Sequence, residues 1–496
     1  MAPADAWRRT AALWAPLLGA SILAGCDLAP AYSPPTLTIP TGYKETGPWT
    51  QASPRDGLPR GAWWAAFGDP TLDALEARVD TSNPTLAAAL AAFDQARALA
   101  AQARASTLTT VIATASPAYN RQSANRPLRG ANEPNEYGAD TLGAQVDYEF
   151  DFWGRIRNLV AAGEADAQAT AADLATARLS LHAELADDYL QLRGLDAQSR
   201  LLINTVAAYQ RALTLTQIRH TGGVASGLDV DRAAAQLSSA KAQISDVAAQ
   251  RALFEHAIAS LTGQPASSFS IPPAADQGVI PAIPIGLPSD LIQRRPDVAA
   301  AERRAFAANR QIGVARAAFF PTISLDALGG FQNTGEPDLL TAPNTYWTIG
   351  PQLALTVFDA GRRHAVVAAS RAAFLLASAD YRATVLAAFQ QVEDQLALGK
   401  RLSDEARDEA DAVHSSQATT NLSMIRYREG ATNYLDVVTA QTAELQAEQT
   451  ALVLQTRRQA AAVDLVRALG GGWTVTELPS LAQAAKLNPG AAEAVR

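Results

Sequence analysis

Residues 219–236 and 426–443 are two copies of one motif, in which Gly223, Leu228, Asp229 and Val230 recur as Gly430, Leu435, Asp436 and Val437. The offset of 207 residues, Asp229 to Asp436, also carries Gly154-Arg155 onto Gly361-Arg362. Upstream, Asn83-Pro84 matches Arg295-Pro296 and Arg104 matches Arg316, at an offset of 212. A Pro-, Asn- and Gly-rich segment between 110 and 143 absorbs the difference as a longer loop in the first copy. The chain is a tandem duplication of half-molecules, so any fold has to be built twice from one unit. Each unit reads helix, strand, loop, strand, long helix, glycine-containing turn, helix.

In the first unit, residues 145–152 alternate strictly, with Val146, Tyr148, Phe150 and Phe152 on one face and Gln145, Asp147, Glu149 and Asp151 on the other. Period two with one apolar face marks a strand. The matched strand sets Trp347, Ile349, Leu353, Leu355 and Val357 against Thr348, Gln352 and Thr356, so the duplication keeps the apolar parity. The partner strands are weaker: Val111, Ala113 and Ala115 in one unit, and Ile323, Leu325 and Ala327 alternating with Ser324 and Asp326 in the other. Pro351 interrupts the fourth strand and requires a bulge or an unpaired edge. Alternation alone also fits a soluble sandwich with a polar outer face. Two isolated hairpins are marginal in water, however, and a transmembrane barrel takes at least about eight strands, so four per chain force oligomerisation. On that reading Asp147, Glu149, Asp151 and Asp326 face an aqueous lumen. Phe152, Trp153, Tyr346 and Trp347, at the strand ends, suit an interfacial girdle or a core.

From 156 to 219 the chain lacks proline and is rich in Ala, Leu, Gln and Arg, all good helix formers. At 1.5 Å per residue this is a rod of roughly 95 Å, and 362–426 repeats it. Shorter helices, about 84–105 and 228–261, are expected to stack end to end beside it. Such a column needs partners on both sides, which a ring of columns supplies.

The net charge of −8, with no Lys/Arg cluster, argues against nucleic acid as a partner. Arg8-Arg9, a short apolar run and Leu23-Ala24-Gly25-Cys26 read as a signal peptide over 1–25 followed by a lipidated Cys26. Cys26 is the only cysteine, which rules out an intrachain disulfide. No later stretch reaches 18 consecutive apolar residues, the length at which a spanning helix is considered. The seven prolines within 27–60 suggest an extended tether. The five histidines, His182, His220, His256, His364 and His414, lack metal-ligand spacing and read as solvated helix residues. With no nucleophile elbow and no phosphate loop, no catalytic residue, cofactor or metal is expected.

The expected organisation is a tether and equatorial segment over 26–82 and a first repeat over 83–265, with hairpin 106–152, long helix 156–219, tip and helix 228–262. An equatorial linker over 266–294 follows, then a second repeat over 295–472, with hairpin 321–358, long helix 362–426, tip and helix 433–469, and a tail over 473–496. The turns at Gly222-Gly223 and Gly430 lie far from the strands, at a tip. Ser226-Gly227-Leu228-Asp229 and Asn433-Tyr434-Leu435-Asp436 read as capping boxes. A symmetric ring would also bring copies of Asp229 and Asp436 toward its axis as cation-favouring carboxylate rings.

The segments Trp63-Trp64 with Phe67, Asp69-Pro70 and Leu72; Leu261-Thr262-Gly263; Gly286-Leu287-Pro288-Ser289-Asp290-Leu291; Arg294-Arg295-Pro296-Asp297; Phe319-Phe320-Pro321; Tyr434-Leu435-Asp436-Val437; and Leu469-Gly470-Gly471-Gly472-Trp473 span nearly the whole mature chain. Together they resemble the TolC-like outer-membrane channels of tripartite efflux systems, in the NodT-type lipoprotein branch that serves resistance–nodulation–division pumps. The resemblance implies a mixed α and β fold: a homotrimer whose twelve-stranded barrel crosses the outer membrane and continues as a periplasmic helical barrel. It implies as partners a periplasmic adaptor, an inner-membrane transporter and outer-membrane lipid through Cys26.

In that family, positions matching Arg426 and Tyr427 help to hold the tip closed. An acidic residue often stands one turn after the Asp436 position, where this chain has Thr439, and Arg232 in the other copy; Asp231 is the compensating carboxylate. The implied gate is Asp229, Asp231, Asp436, Arg426 and Tyr427, and the implied adaptor-contacting tip is Gly222, Gly223, Gly430 and Asn433. Asp27 departs from the expected pattern, since in some enterobacteria an aspartate after the lipidated cysteine retains lipoproteins at the inner membrane. The alternatives are a non-conducting envelope scaffold and an exit duct for another export system. A scaffold has no need of two amphipathic hairpins of matched parity.

Overall fold

The computed structural model describes residues 27–45, 50–51, 61–125, 134–274, 276–285, 288–334 and 338–484. Cys26 and the signal segment lie outside them. The elements in chain order are β1 (Thr50–Gln51), α1 (Pro70–Ser82), α2 (Pro84–Ala105), β2 (Thr110–Arg121), β3 (Glu136–Phe150), α3 (Arg155–Thr221) and α4 (Gly227–Leu261). The second half continues with β4 (Pro284–Ile285), α5 (Pro288–Arg294), α6 (Pro296–Ala317), β5 (Thr322–Asn333), β6 (Thr345–Ala354), α7 (Arg362–Arg428), α8 (Tyr434–Ala468) and α9 (Leu481–Ala484). The four long strands form one antiparallel sheet, β2-β3-β5-β6. Pro351 causes no bulge, because β6 is an edge strand, and Pro117 sits on the opposite edge, β2. A proline on an edge removes no bond within the sheet.

α3 and α7 each have 67 residues, roughly 100 Å of helix. Near the strands the helices lie side by side as α2-α3-α6-α7, and toward the tip as α4-α3-α8-α7. The short helices meet end to end halfway along. Asn83 makes this joint in the first repeat: its Oδ1 accepts from Leu86 N (2.9 Å) as the cap of α2, and its Nδ2 donates to Leu261 O (2.8 Å) at the end of α4. In the second repeat Arg295 replaces it, with Nη1 donating to Ala468 O (3.0 Å) and Asp297 holding Nε and Nη2 (3.0 and 2.6 Å). Gly263 (φ +68°) and its match Gly470 (φ +91°) turn the chain out of α4 and α8. A Cβ on either would run into the carbonyl of Ser82 or Arg294. The duplication preserves the joint while changing its chemistry.

The main core lies at this equator, where Trp63, Trp64, Phe67 and Leu72 pack with Leu185, Tyr189 and Leu192 of α3, Leu396 of α7 and Leu465 of α8. Asp69 caps α1 through Thr71 N (2.8 Å) and accepts from Tyr189 OH (2.5 Å). Buried Asp196 gathers Arg193 (3.1 Å), Arg251 (2.6 Å) and Ala274 N (3.0 Å). The same arginines donate to Pro272 O (2.9 Å) and Ile271 O (2.7 Å), fastening the segment between the repeats to α3 and α4.

Two sequence expectations change here. His182 is buried, not solvated: Nδ1 lies 2.5 Å from Glu76 Oε2, Nε2 lies 3.1 Å from Asp80 Oδ1, and Trp64 stacks on its ring at 4.5 Å. Burial raises the Glu76 carboxyl to about 7. Residues 27–45, within the segment expected as an extended tether, are docked on the helices. Tyr32 OH donates to Glu302 Oε1 (2.7 Å) on α6, and Lys44 N and Glu45 N donate to Glu393 (2.7 and 3.0 Å) on α7.

Candidate functional site

Across the sheet, Val111, Val146, Ala327 and Ile349 stand in one row, and Tyr148, Leu325 and Pro351 in another. Between them run Thr110, Asp147, Asp326 and Gly350, then Glu149, Ser324 and Gln352 beyond the apolar row. Directly paired residues share a face, so both hairpins contribute to one apolar and one polar side. On the apolar side Trp347 is 76% exposed, Leu353 64% and Ile349 60%. Large bare side chains over a whole sheet face are what a lipid-facing wall presents. Trp153 is not part of that surface: its Nε1 donates to Pro321 O (2.8 Å) and its ring stacks on Phe320 at 4.6 Å, clasping the strand-to-helix junction. Phe152 stacks on Phe150 at 5.8 Å, and Tyr346 belongs to the polar side, opposite Gly330.

The four acidic residues expected in the lumen divide into two pairs. Asp147 and Asp326 face each other across β3 and β5. Among the described residues their side chains accept only from Gln145 (2.9 Å) and Ser324 (3.0 Å), leaving both without a counter-ion. Glu149 is instead forked by Arg155 (2.9 and 2.6 Å). Asp151 accepts from Ile156 N (3.1 Å), Arg157 N (2.8 Å) and Arg157 Nε (3.2 Å), capping the start of α3. Within one protomer Glu149 and Asp151 therefore serve the junction.

At the far end the two glycine turns lie together. Gly223 (φ +74°) and Gly430 (φ +78°) are left-handed, as a chain leaving a helix requires, whereas Gly222 has an ordinary φ of −76°. Ser226 and Asp229 close a reciprocal capping box, and Arg232 stands 3.7 Å from Asp229. The second box is only half made: Asn433 Oδ1 accepts from Asp436 N (3.2 Å), but the Asp436 carboxylate binds Thr432 Oγ1. Asp231 and Asp436 are exposed. Tyr427 is buried against Tyr434 at 5.3 Å, with its hydroxyl 3.4 Å from Thr216 Oγ1. The arginine that meets Tyr427 is Arg219, the first-repeat counterpart of Arg426. Arg219 Nη1 donates to Tyr427 O (2.9 Å) and Arg428 O (3.2 Å), and its guanidinium lies 4.7 Å above the Tyr427 ring. It thus satisfies carbonyls left open at the end of α7. Arg426 is exposed, and its side chain has no partner among the described residues.

The sequence model described as "Outer membrane efflux protein" matches residues 77–264 and 287–471, one span on each repeat. The chain belongs to the outer membrane efflux protein family. It is 31% identical over 457 residues to the toluene efflux pump outer membrane protein TtgC of Pseudomonas putida, covering 92% of this chain and 94% of that one. It is 30% identical over 462 residues to the pyoverdine export outer membrane protein OpmQ of Pseudomonas aeruginosa, covering 92% and 96%. The solved outer-membrane channel OprN superposes with a TM-score of 0.84 at 29% identity, covering 90% of this chain and all of that one. As an outer membrane efflux protein the chain is a non-enzymatic channel and the outer-membrane component of an efflux pump. Arg219 and Thr216 were missed as tip residues because nothing in the sequence ranks Arg219 above its duplicate Arg426.

Proposed function

We propose that three copies close into one continuous duct, acylated at Cys26, which passively carries amphiphilic small molecules from an inner-membrane transporter and a periplasmic adaptor to the exterior. The observation that carries this reading is the pair of open sides on the protomer. β2 and β6 are free edges of the sheet, and α7 turns Leu375, Leu376 and Leu386 outward. Among the described residues α7 is also the one helix long and apolar enough to cross a membrane by composition. Most of that stretch is uncovered, as a surface that awaits a second copy would be. Four strands from each of three copies give a closed barrel within the size range of such proteins, and closure removes every edge.

At the tip, rings of Asp229, Asp231 and Asp436 constrict the mouth, and the exposed Arg426 is free to pair with a carboxylate of the neighbouring copy. Gly222, Gly223, Gly430 and Asn433 present the surface that the adaptor meets. Asp147 and Asp326 line the lumen and favour cations. Because one relative is named for toluene and another for pyoverdine at nearly equal identity, cargo selection is assigned to the transporter. Deleting the gene should raise intracellular accumulation of an amphiphilic dye only in cells that express the cognate pump. Equal accumulation with the pump active and no substitute channel present contradicts the reading.

A further inference from the structure

The duplication supplies an internal control for one stretch of α6. The carboxylate of Asp27, next to Cys26, accepts from Asn158 Nδ2 (2.8 Å) on α3 and from Ala29 N (3.0 Å), and pairs with Arg310 Nη1 (2.8 Å) on α6. Farther along, Leu28 O accepts from Arg316 (3.0 Å), Pro30 O accepts from Asn309 (2.9 Å), and the Tyr32 ring meets Phe306 edge-on at 5.1 Å. Gly313 leaves the space for this segment: a Cβ there would lie 2.8 Å from Asn158 Nδ2 and 2.9 Å from Ala29 N.

In the first repeat the positions matching Phe306, Arg310 and Gly313 hold Asp94, Ala98 and Ala101, and the position matching Asn158 in the second repeat is Ala365. α2 carries its own Phe93 and Arg97 pair one position earlier, with the guanidinium 5.5 Å from the ring, so the notch and the amide are the features that stand only where the segment lies. Packing of α6 on its own long helix α7 does not call for the notch, since the matched pair, α2 on α3, packs without one. Burial works against a charge on Asp27, but hydrogen bonds from Asn158 and Ala29 N, with the Arg310 guanidinium, hold its carboxyl below the ordinary value.

We propose that residues 27–32 are a strap built to dock across both repeats and that Asp27 is its latch, a positioning residue that fixes the start of the strap beside the start of α3 at the foot of the strands. The consequence for the anchor rests on the acylation of Cys26: the acyl chains would enter the membrane next to the barrel instead of swinging on a free tether. The docking itself rests only on protein contacts.

The test is the mobility of a nitroxide spin label on Ala31→Cys in the acylated, full-length protein, where Cys26 is blocked and no other cysteine competes. The label should be motionally restricted in the wild-type background. Asp27→Ala and Gly313→Ala should each raise its mobility several-fold, since each removes a charge-assisted contact or displaces the strap. Gly313→Ala favours its helix, so unchanged far-ultraviolet circular dichroism separates strap release from unfolding, and Ala101→Gly in the matched helix should leave the label restricted. A Cys26→Ser form secreted through an ordinary signal should also keep it restricted. A freely mobile label in the wild-type background, no response to either substitution, or restriction that vanishes without the acyl group would overturn the latch. Conductance should survive Asp27→Ala. A restricted label in a protein that never conducts would contradict the channel reading and leave the latch standing.

Discussion

α3 and α7 are one helix used twice, of identical length, yet twenty-seven residues of α3 are buried and only ten of α7. Matched positions show where the difference lies. Ala169 on α3 is 1% exposed under α6, and its counterpart Leu376 on α7 is 64% exposed. α3 has short helices on two sides and α7 on one. Duplication copied the backbone but could not copy the environment, because the outer helix of an open row has nothing beyond it. The second copy therefore carries Leu376 where the first carries Ala169, and an exposed leucine there suits a neighbour rather than a core.

The largest effect should come from charging that outer side. Leu376→Asp with Leu386→Asp would bury unpaired carboxylates on assembly, at a cost of several kcal/mol. Native mass spectrometry should find folded monomers; a variant that still assembles would break the comparison. At the equator the two helices should behave alike, since Leu185 and Leu396 are both fully buried. Leu185→Ala and Leu396→Ala should each cost about 3 kcal/mol, read from urea unfolding in detergent, and a large inequality would show that α7 is loosely held even there.

At the tip the copies should differ again. Arg219→Ala loses two bonds to carbonyls and a cation–π contact, about 1–2 kcal/mol. Arg426→Ala should change the stability of the monomer by less than about 0.5 kcal/mol.

An effect close in size to that of Arg219 concerns Glu76. Its folded-state value of about 7 lies above the ordinary 4.5, so the folded state holds this proton more tightly than the unfolded state does. Stability from this group is therefore full below the ordinary value and declines as pH rises to about 7. Glu76→Gln should raise the melting temperature at pH 8, by on the order of 1 kcal/mol of stability, and leave it unchanged at pH 4.

What was legible in the sequence was whatever repeats. The unit recurs at a fixed offset, and strand parity is a local alternation that survives copying. What was not legible depends on partners far apart in the chain. Proline content marks 27–45 as extended but cannot show that Glu302, Arg310 and Asn158 receive it. His182 looks like any helical histidine until Glu76, 106 residues earlier, is brought against it. The lumen acids Glu149 and Asp151 were read from parity alone, which is silent on Arg155 and Arg157 reaching back across the turn. At the second tip turn the spacing of a capping box was present, and a neighbouring threonine took the carboxylate.

The most direct measurement of the central claim is single-channel conductance of the purified, acylated protein in a planar bilayer, with Leu376→Asp/Leu386→Asp beside the wild type and Asp229→Asn/Asp436→Asn as a third sample. Discrete cation-favouring steps from the wild type, none from the edge variant and altered steps from the tip variant are the predicted result. Steps of equal size and frequency from wild type and edge variant would contradict closure through α7, because the unassembled protomer would then be conducting.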